Sequence, residues 1–60
     1  MLYAVGYDEE KEIMEAVFLK GGIWRYRGVP KEIYDGLIGS KSLGSYMRSR
    51  IIDCYDSEKI

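Results

Sequence analysis

The stretch Lys-Gly-Gly-Ile-Trp-Arg-Tyr-Arg-Gly-Val-Pro-Lys at residues 20–31 decides the fold of this chain. Its Gly21-Gly22 pair predicts a tight turn that joins two antiparallel strands. In the second strand Trp24 and Tyr26 alternate with arginines. Because successive side chains of a strand point to opposite sides of a sheet, one face is aromatic and the other is cationic. The stretch predicts either a half-buried strand or a surface that stacks bases and contacts phosphates.

The segments on either side of this hairpin predict the order β-β-β-α-α. Pro30 suits the first turn of a helix, where its missing N–H costs nothing, and Gly39 suits a helix end. The predicted strands span 2–7, 12–19 and 23–27, and the predicted helices span 31–38 and about 43–52. We therefore expect an α+β fold, in which a three-stranded antiparallel meander is followed by two short helices packed on one face.

This arrangement predicts a single domain over residues 1–55, followed by a polar tail at 56–60 that we expect to be frayed. The sheet residues expected under the helices are Met14, Ala16, Phe18, Trp24 and Tyr26, and they should meet Tyr34, Leu37, Tyr46 and Ile51. The residues expected on the opposite sheet face are Ile13, Glu15, Val17, Ile23, Arg25 and Arg27. That second face is neither cleanly polar nor cleanly apolar.

The composition excludes several classes of protein. The 60 residues contain one cysteine and no histidine, so neither a disulfide within the chain nor the usual zinc ligand sets are expected. No apolar run approaches the ~20 residues that span a membrane, and the start of the chain lacks the features of a signal peptide. We expect a cytoplasmic protein without a cofactor. Oligomerisation is then the common means left to stabilise so small a core.

The net charge of −1 hides an uneven distribution, because residues 20–50 carry seven basic residues against two acidic ones. Such a basic segment is a candidate site for phosphates. The tentative nucleic-acid-binding residues are Arg25, Arg27, Lys31, Lys41, Arg48 and Arg50. The alternative is that acidic and basic segments mix on one small surface, with Arg25 and Arg27 paired to Glu12 or Glu15 across strands. An isoelectric point near 5.3 favours this second interpretation slightly.

The chain resembles the KTSC domain, a module named for its occurrence at the C-terminus of some lysyl-tRNA synthetases. The resemblance rests on Gly6-Tyr7-Asp8, Met14-x-Ala16-x-Phe18, Gly21, Trp24-x-Tyr26, Val29-Pro30, Tyr34-x-x-Leu37, Ser42-x-Gly44-x-Tyr46, Ile51 and Tyr55. Trp24 stands where that family usually has tyrosine, Met47 where phenylalanine is usual, and Arg48 where asparagine is common. The family has no established biochemical function, and the synthetase attachment implies RNA binding only as a suggestion.

No residue set predicts catalysis. Cys54 has no histidine to serve as its base, and Glu9-Glu10 is expected in an exposed turn rather than a cleft. Trp24 and Tyr26 are expected to pack in the core rather than to stack bases, since large aromatic side chains dominate small cores.

Two hypotheses about function follow. The first is a non-catalytic module that binds nucleic acid, RNA rather than DNA. The second is a protein interaction or assembly module, expected as a homodimer, because Ile13, Val17 and Ile23 stay uncovered unless arginine stems shield them. The position of Arg25 and Arg27 separates the two. Grouped with Arg48 and Arg50 they favour nucleic acid, whereas paired to carboxylates they favour assembly.

Overall fold

The computed structural model describes residues 2–60, and Met1, the first residue of the expected domain, lies outside the described residues. The strands are β1 (Leu2–Asp8), β2 (Ile13–Phe18), β3 (Gly22–Arg27) and β4 (Asp56–Lys59), and the helices are α1 (Lys31–Ile38) and α2 (Leu43–Tyr46). A π-helical turn (Met47–Ile51) continues α2. The four strands form one antiparallel sheet in the order β1-β2-β3-β4. Along the chain, both helices come between β3 and β4. The α+β class is confirmed.

The fourth strand corrects two expectations, the three-stranded sheet and the frayed tail. β4 pairs antiparallel with β3, with Lys59 opposite Trp24 and Asp56 opposite Arg27. The Ile60 N–H extends this ladder by donating to the Ile23 carbonyl at 2.8 Å. All four β4 residues are exposed, so the segment has no apolar alternation that would predict a strand. Backbone hydrogen bonds to the edge of β3 hold it instead.

The predicted hairpin between β2 and β3 is present. Gly22 stands opposite Phe18, and the Gly21 N–H donates to the Phe18 carbonyl at 3.2 Å. Gly22 has a φ of 85°, a conformation that side-chain-bearing residues rarely adopt. The glycine pair therefore sets the register that places the aromatic side chains of β3 on one face.

A single core lies between the sheet and the helices. Its buried residues are Met14, Ala16, Tyr26, Val29, Leu37, Met47 and Ile51. The predicted covered face is thus confirmed for Met14, Ala16 and Tyr26, while Phe18 and Trp24 are half-buried at its border.

The second helix differs from the regular helix predicted over 43–52. Only its first four residues are α-helical, with the Ser42 hydroxyl accepting a hydrogen bond from the Ser45 N–H at 3.3 Å. The chain then widens into the π-helical turn, in which the Ile52 N–H donates to the Met47 carbonyl at 2.7 Å. Met47 and Ile51 are both buried. The wide turn thus keeps on the core side a pair that a regular helix would also place on one face.

Within residues 2–60, no helix is long and apolar enough to cross a membrane. The same residues contain no group of three or more acidic or cysteine side chains arranged to hold a metal ion.

Candidate functional site

The sheet face turned away from the helices, called here the open face, is arranged in three rows across the strands. The strand registers define these rows. The first row is apolar and consists of Ala4, Val17 and Ile23, with Ile60 next to Ile23. The second consists of Gly6, Glu15, Arg25 and Glu58, and the third of Asp8, Ile13, Arg27 and Asp56. An apolar row therefore lies beside two charged rows.

The arginines of the open face are paired with carboxylates. Arg25 donates to Glu15 Oε2 from Nε at 3.0 Å and from Nη2 at 2.8 Å, and its Nη1 lies 3.9 Å from Glu58 Oε1. Arg27 also pairs with Glu58. These side chains are 38–51% exposed, so each pair contributes at most about 1 kcal/mol to stability. Their main effect is to neutralise the guanidinium charges.

Glu15 is one of the two acidic partners that the sequence suggests for Arg25. Glu58 was not identified as a partner from the sequence. The reason is that Glu58 belongs to the segment that was expected to fray. The alternation of residues along β4 was the only signal that could have placed its carboxylate beside Arg25, and that signal is weak in four polar residues.

A second surface lies on the helix layer, where Lys41 and Arg50 line one groove. The groove has a volume of about 370 Å³, and its other lining residues are Ser40, Ser42, Ser45, Tyr46 and Ser49. Arg48 is exposed on the same π-helical turn as Arg50. Lys31 forms an ion pair within α1, where its Nζ lies 3.3 Å from Asp35 Oδ2. The six candidate cationic residues are thus divided between the open face and the helix layer.

A third surface, called here the aromatic groove, lies on the helix side of the sheet. It has a volume of about 270 Å³ and is lined by Phe18, Trp24, Tyr26, Ile52, Asp53 and Ser57. Tyr26 is only 4% exposed, so it is chiefly a core residue, as the sequence indicates. Burial raises the pKa of its phenol, and the neighbouring Asp53 charge raises it further. Sequence reasoning did not single out Asp53, because no local pattern links it to β3.

Tyr7 has a structural role. Its hydroxyl donates to the Val29 carbonyl at 2.6 Å, and its ring stacks on Tyr34 at 4.8 Å between centroids. Desolvation raises the pKa of this phenol, and the Glu12 and Glu9 charges add to the effect. The protonated hydroxyl thus joins β1 to the loop that precedes α1.

Comparisons with known proteins agree with this geometry. The KTSC domain family matches residues 1–55. A crystal structure of a KTSC domain protein from Yersinia pestis superimposes with a TM-score of 0.97 at 25% identity, covering 98% of this chain and 83% of that one. An uncharacterized protein from Stutzerimonas stutzeri (strain A1501) is 40% identical over 45 residues, which are 75% of this chain and 63% of that protein. With the matching fold and motifs, these similarities show that the chain belongs to the KTSC domain family.

Proposed function

We propose that this chain is a non-catalytic protein interaction module that associates with a second copy of itself through the open face. The observation that carries the proposal is the apolar row of Ala4, Val17, Ile23 and Ile60 beside a charged row whose arginine is already paired with carboxylates. Ile23 is 40% exposed and Ile60 is 61% exposed, so the neighbouring arginine stems do not cover them. A contiguous exposed apolar patch of this kind on a small soluble domain is typical of a protein interface.

The charged row supports self-association over phosphate binding. A phosphate that approached Arg25 would meet the carboxylates of Glu15 and Glu58 on either side. It would also have to replace the hydrogen bonds that Arg25 gives to Glu15. Like-charge contacts of this kind suppress binding of the wrong partner.

The same row is compatible with two-fold symmetry. Across the strands it alternates in charge as Glu15, Arg25 and Glu58. A two-fold axis places the same patch on both partners, so a favourable interface must be complementary to itself. A row of two acids and one base meets this condition when the two copies are offset, so that Arg25 of each copy faces a carboxylate of the other. The apolar row then packs at the same interface.

The test introduces a charge into the apolar row. In a symmetric dimer, Ile23→Lys removes two buried isoleucines and places two ammonium groups in the interface. We therefore expect the dissociation constant of the dimer to rise by more than about tenfold. Sedimentation equilibrium from micromolar to millimolar protein measures this change. Ile38→Lys is the matched control, because Ile38 is 54% exposed on α1, away from the open face. A monomeric mass for the unmodified chain at every concentration would refute the proposal.

A second candidate function, nucleic-acid binding, is supported by the groove of Lys41 and Arg50. Neither residue has an ion-pair partner among residues 2–60, in contrast to Arg25, Arg27 and Lys31. Four serines line the same groove, and the hydroxyls of Ser42, Ser45 and Ser49 can donate to phosphate oxygens, whereas that of Ser40 donates to the Ser42 carbonyl. This site lies on the helix layer, so it does not compete with the open face.

Fluorescence anisotropy with a labelled single-stranded RNA at low salt tests this candidate. We expect Lys41→Gln with Arg50→Gln to weaken binding and to reduce the slope of log affinity against log salt by about 0.7 per lost phosphate contact. Arg27→Gln is the control and should leave binding within about twofold, because Arg27 is paired on the opposite side of the sheet. No binding at tens of micromolar protein would exclude the candidate.

A further inference from the structure

We propose that the aromatic groove binds an alkylammonium group of the lysine type, presented by a partner protein. The groove lies on the helix side of the sheet, so self-association through the open face would leave it accessible. The inference therefore stands apart from the proposed function. It rests on the arrangement of the aromatic rings, on one carboxylate and on the size of the groove.

The aromatic rings stand beside small neighbours. Phe18 lies opposite Gly22, and Trp24 lies opposite Ala16, so Phe18 and Trp24 are diagonal neighbours on the same face of the sheet. Tyr26 follows Trp24 on that face, two residues along β3. Three aromatic side chains thus line one groove, with Tyr26 the most buried of them, and an aromatic ring attracts a cation placed over its face.

The Trp24 ring is held by a hydrogen bond from its Nε1 to the Gly21 carbonyl at 3.0 Å. This bond uses the only polar hydrogen of the indole. Trp24 therefore offers a bound molecule its ring surface and no hydrogen-bond donor. That surface suits an ammonium group with attached methylene or methyl groups rather than an anion.

Asp53 supplies the negative charge of the groove. It follows the π-helical turn in a left-handed conformation with φ of 68°, which aspartate tolerates better than most residues. Among residues 2–60, no lysine or arginine lies within ion-pair distance of its carboxylate. Lys59 extends instead over Gly22 and does not line the groove. The carboxylate is thus available to pair with an incoming cation.

The size of the groove selects the ligand. Its volume of about 270 Å³ falls below the range of pockets that hold drug-sized molecules. One extended side chain with a cationic end fits this space and satisfies both the rings and the carboxylate. An exposed lysine on a partner protein meets these requirements.

The fluorescence of Trp24 provides the test, because it is the only tryptophan of the chain. The probes are an amide of Nα-acetyl-lysine and a neutral isostere in which a methyl group replaces the ammonium group. We expect a saturable fluorescence change with the cationic probe and about tenfold weaker binding of the neutral isostere. Asp53→Asn should also lower the affinity for the cationic probe several-fold. Asp56→Asn is the matched control, since Asp56 lies in the third row of the open face, and it should leave affinity unchanged.

Two results would overturn the proposal. One is equal binding of the charged and neutral probes, which would indicate only an apolar groove. The other is an unchanged affinity of the Asp53→Asn variant whose circular dichroism shows an intact fold. The Ile23→Lys variant should keep the fluorescence response. Failure of self-association and failure of cation binding are thereby distinguished.

Discussion

Replacing Leu37 with alanine is expected to remove most of the stability of this domain. Leu37 is fully buried in the single core, and truncation of a buried leucine costs about 2–5 kcal/mol through lost burial and the cavity left behind. A core of this size rarely supplies more than about 3–5 kcal/mol in total. A large fraction of the Leu37→Ala chains should therefore be unfolded at 25 °C, as measured by urea titration followed by circular dichroism.

The neighbouring residue provides a control for this prediction. Ile38 is aliphatic and lies on the same helix, but it is 54% exposed. Ile38→Ala should change the free energy of unfolding by no more than about 0.5 kcal/mol, the usual range for surface substitutions. A loss below about 1 kcal/mol for Leu37→Ala would show that the core can close around the missing side chain.

The second large effect concerns the contact between α1 and the end of α2. A Cβ added to Gly36 would lie 2.9 Å from Tyr46 Cζ and 3.3 Å from Cε2, and it would also overlap the Tyr46 hydroxyl. Alanine gains about 1 kcal/mol over glycine in a helix, but overpacking costs about 1–3 kcal/mol or more. The tyrosine ring is half-buried and cannot move without disturbing the packing around it. We therefore expect a net destabilisation of about 1–2 kcal/mol for Gly36→Ala, measured by thermal unfolding.

A matched glycine gives the opposite expectation. Gly44 is also helical, but a Cβ added there meets nothing within 4 Å, so Gly44→Ala should stabilise the domain by up to about 1 kcal/mol. Adding Tyr46→Phe to Gly36→Ala removes the hydroxyl that comes closest and should recover part of the loss. If both alanine substitutions stabilised the domain equally, the close approach of the two helices would be disproved.

The parts of the fold that follow from local chemistry could be predicted from the sequence. The Gly21-Gly22 turn and the alternation in β2 and β3 fix the hairpin and place Met14 and Tyr26 under the helices, because a turn and a period of two are properties of neighbouring residues. Pro30 and Gly39 bound α1 in the same way. These features need no information from distant parts of the chain.

The rest depends on contacts between residues that are far apart in the chain. All four residues of β4 are exposed, so its sequence has no apolar pattern that predicts a strand. It is a strand because its backbone pairs with the edge of β3. No local pattern in residues 47–51 predicts the π-helical turn, because the spacing of the buried Met47 and Ile51 is that of a regular α-helix. The cationic residues of segment 20–50 lie on two sides of the domain, and only the tertiary fold decides which side each one takes. Asp53 likewise comes close to Tyr26 only through the tertiary fold.

The insertion of both helices between β3 and β4 has a kinetic consequence. The β1–β2 and β2–β3 ladders close over short turns, whereas the β3–β4 ladder closes only after the chain has returned across the whole helical segment. The entropy lost in closing a loop rises with the logarithm of its length, so local contacts form earlier than distant ones. β4 adds no buried side chain to offset this loss. We therefore expect the last strand to dock late in folding and to detach early when the native protein opens, which would leave β3 as a transient sheet edge.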